Sequence, residues 1–278
     1  MVKFPSEKIH RPFTRERLKE RSNYDKMQRT KFDRRCEIVP KVKVSPGMVF
    51  ERHEKKYRLS EAQYLALRER LEGYMQPDQY GRHTICSLYF DTPDFLLIRR
   101  SLSKPKYKEK LRLRSYGLPG PDTTVYLELK KKLAGVTYKR RVALPYAEAQ
   151  GYLLRGEVPG QSGQILREID WFRDFYKPEP RVLLFYERIA LYGVEDPELR
   201  VTFDTDIRWR MERFDLSEGD EGRMLLAPGE RLMEIKVASA LPFWLARMLS
   251  EMKIYPTSFS KYGNVYREYL KEEESLAE

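Results

Sequence analysis

The chain has 278 residues, enough for one or two domains and a large buried core, with 41% hydrophobic and 34% charged residues, a globular rather than a disordered composition. Its net charge of +11 points to an anionic partner, no apolar run reaches the roughly 18 residues of a membrane helix, and the N-terminal residues lack an apolar signal core. Two cysteines (Cys36, Cys86) without metal spacing and three histidines (His10, His53, His83) argue against a disulfide framework, a histidine-rich metal site or a histidine-driven hydrolase, and make a cytoplasmic location the expectation.

Residues 1–43 hold 14 Lys+Arg against 6 Asp+Glu, a net of +8. They read as a basic arm with weak helical character around 14–35, either a solvated extension or a docking segment for an acidic partner or a membrane surface. From Met48 onward, period-2 alternation predicts eight strands over 48–58, 84–91, 107–116, 124–132, 135–144, 181–191, 199–206 and 230–238. Leu118–Asp122 and Gly135 are turn signals. Ser60 with Gln63 forms a capping-box pattern that opens a helix to about Leu71, with Gly73 as its stop. Apolar stripes follow at Ile165, Leu166, Ile169 and Phe172, after Pro242, and at Tyr262, Val265, Tyr266, Tyr269 and Leu270, and these are packing faces. The organisation expected is an arm (1–43), one domain (44–270) and an acidic tail (271–278).

The strand faces divide the charge. Lys110, Arg112 and Arg114 share one side of their strand, as do Glu128 and Lys130, Lys139 and Arg141, Glu234 and Lys236, and Arg52, Glu54 and Lys56. Arg188 and Arg200 follow the same logic. This set contains eleven bases and three acids, a net of +8, whereas the chain beyond the arm carries +3 in all. One reading is a solvated sheet face. Like charges on neighbouring strands repel, however, and a solvated face normally mixes signs. The other reading is a closed barrel with a charged lumen and helices on its apolar exterior, suited to a slender anion such as a chain of phosphates. Glu54, Glu128 and Glu234 either pair with neighbouring bases or hold a divalent cation, Mn²⁺ or Mg²⁺, shared with substrate phosphates. No phosphate-binding glycine loop occurs, and Gly160-Gln161-Ser162-Gly163 misses the serine nucleophile elbow at Gln164.

Nine short motifs then fall in order: Arg52-His53-Glu54-Lys55-Lys56-Tyr57, Ser87-Leu88-Tyr89-Phe90-Asp91-Thr92, Lys110-Leu111-Arg112-Leu113-Arg114-Ser115-Tyr116-Gly117, Leu127-Glu128-Leu129-Lys130, Tyr138-Lys139-Arg140-Arg141, Tyr186-Glu187-Arg188, Arg200-Val201-Thr202-Phe203-Asp204-Thr205, Met233-Glu234-Ile235-Lys236 and Phe259-Ser260-Lys261-Tyr262. Together, over about 48–270, they resemble the VTC domain, the polyphosphate polymerase branch of the triphosphate tunnel metalloenzymes. The resemblance implies an α+β fold, an eight-stranded antiparallel β-barrel with a charged lumen flanked by helices. It implies phosphate contacts from Lys56, Arg112, Arg114, Lys130, Lys139, Arg188, Arg200 and Lys261, and a metal ligand at Glu234. Arg141 and Lys236 join the phosphate-binding set from their strand faces, and Ser260 from the start of the last helix, where free N–H groups favour an anion. Arg112, Arg114, Lys130 and Arg188 are the candidate catalytic groups. The activity implied is transfer of the γ-phosphate of ATP to a growing polyphosphate chain, with Mn²⁺ or Mg²⁺. The rivals are a tunnel triphosphatase and a non-catalytic polyphosphate- or nucleic-acid-binding module, although nucleic acid is not expected as the main ligand. Two departures stand out. Arg52 replaces the first glutamate of the superfamily's Glu-x-Glu-x-Lys, and Ser258 stands where polymerase relatives can carry a lysine. There is no regulatory SPX-type domain or membrane helix, so membrane association is expected only through a partner.

Overall fold

The computed structural model describes residues 53–134 and 136–275. The basic arm, Arg52 and Gly135 lie outside the described residues, as do the first five residues of the first expected strand.

All eight long strands form where alternation places them. They are β1 (His53–Leu59), β3 (His83–Asp91), β4 (Tyr107–Tyr116), β5 (Thr124–Leu133), β6 (Val136–Pro145), β7 (Glu179–Gly193), β8 (Arg200–Arg210) and β10 (Arg231–Val237). Two short strands, β2 (Met75–Pro77) and β9 (Arg223–Met224), attach to β7 and β8. Every ladder is antiparallel, and the long strands run in the order β1-β10-β8-β7-β3-β4-β5-β6. β5 pairs with β6 through Leu133 opposite Val136, so a two-residue loop connects them and Ala134 takes a φ of 47°. The sheet is a curled half-barrel. No ladder joins β1 to β6 among the described residues, and the free edge of β1 instead meets the chain at Thr257, whose N–H donates to Lys56 O (2.7 Å).

The convex face is apolar because every second strand residue is. Leu111, Leu113, Val125, Leu127 and Leu129 pack with Leu166, Ile169, Phe172 and Tyr176 of α4 (Gln164–Tyr176), and with Tyr146 and Ala149 of the short helix α3 (Tyr146–Gln150). Farther round, Tyr57, Val201, Phe203, Met233 and Ile235 pack with Leu67 of α1 (Glu61–Arg70) and with Leu245, Met248 and Leu249 of α5 (Phe243–Glu251). Each fully buried leucine or phenylalanine contributes about 1.5–3 kcal/mol. The capping box of α1 forms as expected, with Ser60 and Gln63 exchanging side-chain-to-backbone bonds.

Two further helices, α2 (Leu96–Leu102) and α6 (Lys261–Ser275), lie on the concave side. Phe95, Ile98, Tyr262, Val265 and Tyr266 cover Ile85, Tyr89, Val182, Leu184 and Tyr186, which point inward from β3 and β7. The expectation of helices on the exterior alone therefore changes: part of the concave face is an apolar plug. Asp91 ties the plug to the sheet. Its buried carboxylate accepts from the N–H groups of Leu97 (2.8 Å) and Ile98 (3.0 Å) and from the Tyr262 hydroxyl (2.7 Å). Gly263 allows the approach, since a Cβ there would lie 3.0 Å from Leu102 Cδ2 and 3.2 Å from Ser260 Oγ.

Candidate functional site

The rest of the concave face is where the charge collects. The register sets Ser87, Arg114 and Tyr126 in one cross-strand row and Tyr89, Arg112, Glu128 and Arg141 in the next. A third row holds Lys110, Lys130 and Lys139. On the other side, Lys56, Glu234 and Thr202 form one row and Glu54, Lys236 and Arg200 another.

Glu128 is 1% exposed and receives three bases: Arg112 at 2.6 Å, Lys139 at 2.7 Å and Arg141 at 3.1 Å. Burial pushes its carboxyl up, but Arg112, Arg114 and Lys139 prevail and hold it down at about 2. Arg112 also donates to the Tyr89 hydroxyl (2.9 Å). Tyr89 is buried, which raises its pKa, yet Arg112, Arg114 and Lys110 pull it down to about 8.

Arg114 differs from its neighbours. It is 8% exposed, it has no carboxylate partner among the described residues, and it donates only to the Tyr186 hydroxyl (3.1 Å). Its Nε has no hydrogen-bond partner, nor has the buried hydroxyl of Ser87, the residue facing it across the β3–β4 ladder. Two unused donors therefore sit side by side on a face already rich in cations.

Lys130 and Lys110 tell the same story through their acidities. Lys130 is reached by water, yet protein surrounds it, and this burial, with Lys56 and Arg112, lowers its pKa. Burial, Lys108, Lys130 and Lys56 bring Lys110 down to about 8. The influence of Glu54, Lys56 and Glu234 on Lys130 joins the two sides of the lumen electrostatically.

The opposite side is more balanced. Arg188 binds Asp204 in a fork (2.7 and 2.8 Å), and Lys261 pairs with the same fully buried carboxylate. Tyr186 lies under both cations, 5.2 Å from Arg188 and 4.3 Å from Lys261. Ser260 opens α6, accepts from the Gly263 N–H (3.2 Å) and lies 3.5 Å from Lys110 Nζ. Lys56 lies between Glu54 (3.2 Å) and Glu234 (3.5 Å), and Lys236 pairs with Glu234 at 2.7 Å. Burial alone would raise the Glu234 carboxyl, but Lys236, Lys56 and Lys261 hold it well below the usual range. Arg200 is exposed and lies over the Tyr192 ring at 5.5 Å.

A family model for the VTC domain matches residues 51–269. The chain belongs to the VTC domain family. The match to this VTC domain among curated proteins includes vacuolar transporter chaperone complex subunit 4 of Trypanosoma cruzi, 27% identical over 219 residues, covering 65% of this chain and 27% of the relative. The chain thus spans about a quarter of that protein's length. Solved structures similar to it include a candidate adenylate cyclase of Bacillus halodurans (TM-score 0.49, 16% identity, 74% of this chain and 92% of that one). Another is a candidate adenylate cyclase of Vibrio parahaemolyticus (TM-score 0.42, 12% identity, 77% and 97%). A third is a protein of Pyrococcus horikoshii (TM-score 0.42, 13% identity, 78% and 99%). No helix of the VTC domain's described residues is long and apolar enough to cross a membrane.

Two groups in the VTC domain's lumen escape the face count made from sequence. Asp204 shares the parity of Arg200 and Thr202 and was legible on that ground, while Ser87 shares the parity of Tyr89. As to a cation, no cluster of three or more His, Cys, Asp or Glu forms among the described residues. Glu54 and Glu234 nonetheless fit one. They offer hard oxygen donors from adjacent strands, and the buried Thr202 hydroxyl opposite Glu234 has no partner. Mg²⁺ or Mn²⁺ commonly takes one or two carboxylates and completes its shell with water and phosphate. Glu128 is engaged by three bases, against two for Glu234 and one for Glu54.

Proposed function

We propose that this VTC domain is a polyphosphate polymerase that transfers the γ-phosphate of ATP to the end of a polyphosphate chain. The observation that carries the reading is Arg114. A buried guanidinium without a carboxylate is costly unless an anion compensates it, and here it adjoins the unused Ser87 hydroxyl, with the lowered-pKa cations Lys110 and Lys130 two cross-strand rows along the same face. A phosphate chain supplies a run of negative charge that matches this array.

In this reading a terminal oxygen of the acceptor chain attacks the γ-phosphorus. The bond from that phosphorus to the β–γ bridging oxygen breaks, and ADP leaves with the electron pair. The step needs positioning and charge neutralisation more than covalent help. Arg112, Arg114, Lys130 and Arg188 hold the triphosphate and neutralise charge as it develops. Lys56, Lys139, Arg141, Arg200, Lys236, Ser260 and Lys261 guide the acceptor or product. Glu234 and Glu54 hold Mn²⁺ or Mg²⁺, which supplies further neutralisation of the phosphate oxygens. Glu128 keeps Arg112, Lys139 and Arg141 in place.

The curated relative's name makes it a subunit of a complex. We place this chain in the cytoplasm, reaching a membrane or acidic partner through the basic arm 1–43. The deciding experiment is incubation with ATP and Mn²⁺. Long chains on a gel support the polymerase, whereas free phosphate without chains makes the protein a hydrolase. Deleting residues 1–43 leaves turnover intact if the arm is accessory.

A further inference from the structure

The concave face ends in a group of rings that the phosphate reading leaves unused. Beyond Arg114 on β4 comes Tyr116. His83, on β3, lies 6.0 Å from the Tyr116 ring, and Tyr126, on β5, lies edge-on to it at 5.7 Å. Tyr80, in the loop before β3, meets His83 at 6.2 Å. Tyr116 is 47% exposed and Tyr80 68%. Arg141 joins the rings to the phosphate site. Its guanidinium lies 3.7 Å from the centre of Tyr126, it donates to the Tyr116 hydroxyl (2.9 Å), and it pairs with Glu128.

Polyphosphate offers nothing to such a surface, because it has neither a ring nor an apolar face. A nucleobase does: bases stack on aromatic side chains and on arginine planes. The distance suits it as well. Two residues along a strand span about 7 Å, so the rings begin roughly a sugar's length beyond Arg114. We infer that Tyr116, with His83 and Tyr80, receives the base of a nucleoside triphosphate whose phosphates lie on Arg112 and Arg114, an assignment that rests on the polymerase reading above. The polar groups of the patch are already engaged, the Tyr116 hydroxyl by Arg141 and His83 Nδ1 by the Gly81 carbonyl (3.2 Å). Recognition is therefore by the face of the base rather than its edge. The site prefers nucleoside triphosphates to inorganic triphosphate and accepts ATP and GTP alike.

Calorimetric titration of the full chain with ATP, GTP and inorganic tripolyphosphate tests this. Tyr116→Ala weakens ATP and GTP on the order of ten-fold, the usual scale of one lost stacking partner, and leaves tripolyphosphate unchanged, which also reports that the variant is folded. Tyr116→Phe keeps the ring and retains wild-type affinity for all three. Arg114→Ala weakens all three ligands together. If Tyr116→Ala leaves ATP binding intact, or weakens tripolyphosphate as much as ATP, the base platform is overturned while the polymerase reading stands. If Arg114→Ala changes none of the three, the phosphate site itself is overturned and the platform with it.

Discussion

The two walls of the lumen solve the same electrostatic problem differently. On the β7–β8–β10–β1 wall, Arg188 and Lys261 share Asp204, while Lys56 and Lys236 share Glu234, with Glu54 at hand. On the β4–β6 wall, Lys110, Arg112, Arg114, Lys130, Lys139 and Arg141 face one carboxylate, Glu128. The first wall, with three carboxylates for these four bases, is closer to balance, and it holds the two carboxylates, Glu54 and Glu234, that fit a cation. The second is short of negative charge, and its deficit is local to Arg114, Lys110 and Lys130. The lesson is that a basic strand face is not one property. Where each base has an acid, the charge holds the fold. Where it has none, the charge awaits an anion.

Removing the least compensated base breaks this contrast most sharply. Arg114→Ala is expected to lower polyphosphate synthesis on the order of 10²–10³-fold, as the loss of one charge-stabilising donor does. The melting temperature should hold or rise, because an uncompensated buried cation contributes nothing to stability in the absence of ligand. Scanning calorimetry of the wild type with and without tripolyphosphate completes the test, since the anion should raise its melting temperature. A variant that melts well below the wild type and keeps its turnover would make Arg114 a structural group.

Glu128 is the opposite case, a carboxylate whose loss leaves three cations unanswered. Glu128→Gln should cost about 3 kcal/mol in denaturant unfolding. Its folded pKa of about 2 lies below the ordinary 4.5, so its contribution is complete above about pH 4.5 and is lost as pH falls toward 2. The wild type should lose stability across that window, and the variant should lose less. Equal acid sensitivity of the two proteins would place the stabilisation elsewhere.

Particular residues show how far sequence alone could go. The eight strands were legible because alternation of apolar and polar residues recurs through most of them, although β3 and β7 also carry apolar runs at Leu88–Phe90 and Val182–Tyr186, and the tilt of charge to one face followed from the same parity. The strands β2 and β9, of three and two residues, are too short to carry a period. Helix α2 was missed because its cap is remote. Phe95, at the cap position, makes no side-chain cap bond, and the N–H groups are met by Asp91 and Thr92 instead. Asp204 was overlooked although Arg200 and Thr202 announce its side, since Asp204-Thr205-Asp206 reads locally as the end of a strand. The packing of α6 on the concave face was not readable from its apolar stripe, which says that a helix packs, not which side of a sheet it packs on; only Ser260 and Lys261, in the phosphate set, pointed its start toward the lumen.

Glu234 tests the balanced wall. Chelation of divalent metal should abolish synthesis, and Glu234→Gln should raise the Mn²⁺ concentration needed for half-maximal rate while ATP still binds to the β4–β6 wall. Asp204→Asn, at the β8 position facing Arg188 across the β7–β8 ladder, should leave the metal requirement where it is and lower stability by releasing Arg188 and Lys261. If both variants shift the metal requirement equally, the wall does not separate cation binding from structural pairing.

The smallest effect concerns alkaline pH. Lys110 and Tyr89 both lie at about 8, below their ordinary values of 10.5 and 10.0. Between pH 8 and those values the unfolded chain holds protons that the folded protein has released. Stability therefore rises with pH across this window, against the usual alkaline decline, as burial of the Lys110 ammonium ceases to be penalised. Lys110→Met removes the lysine's share of the rise and should lessen the slope of the melting-temperature profile from pH 8 to 10, leaving the share of Tyr89. Tripolyphosphate should lessen the slope too, because an anion beside Lys110 keeps it protonated in the folded state and returns its pKa toward that of the unfolded chain. A wild-type rise that Lys110→Met reduces to the Tyr89 share but tripolyphosphate leaves unchanged would mean that Lys110 does not face the phosphate, and the lopsided wall would then end at Arg112.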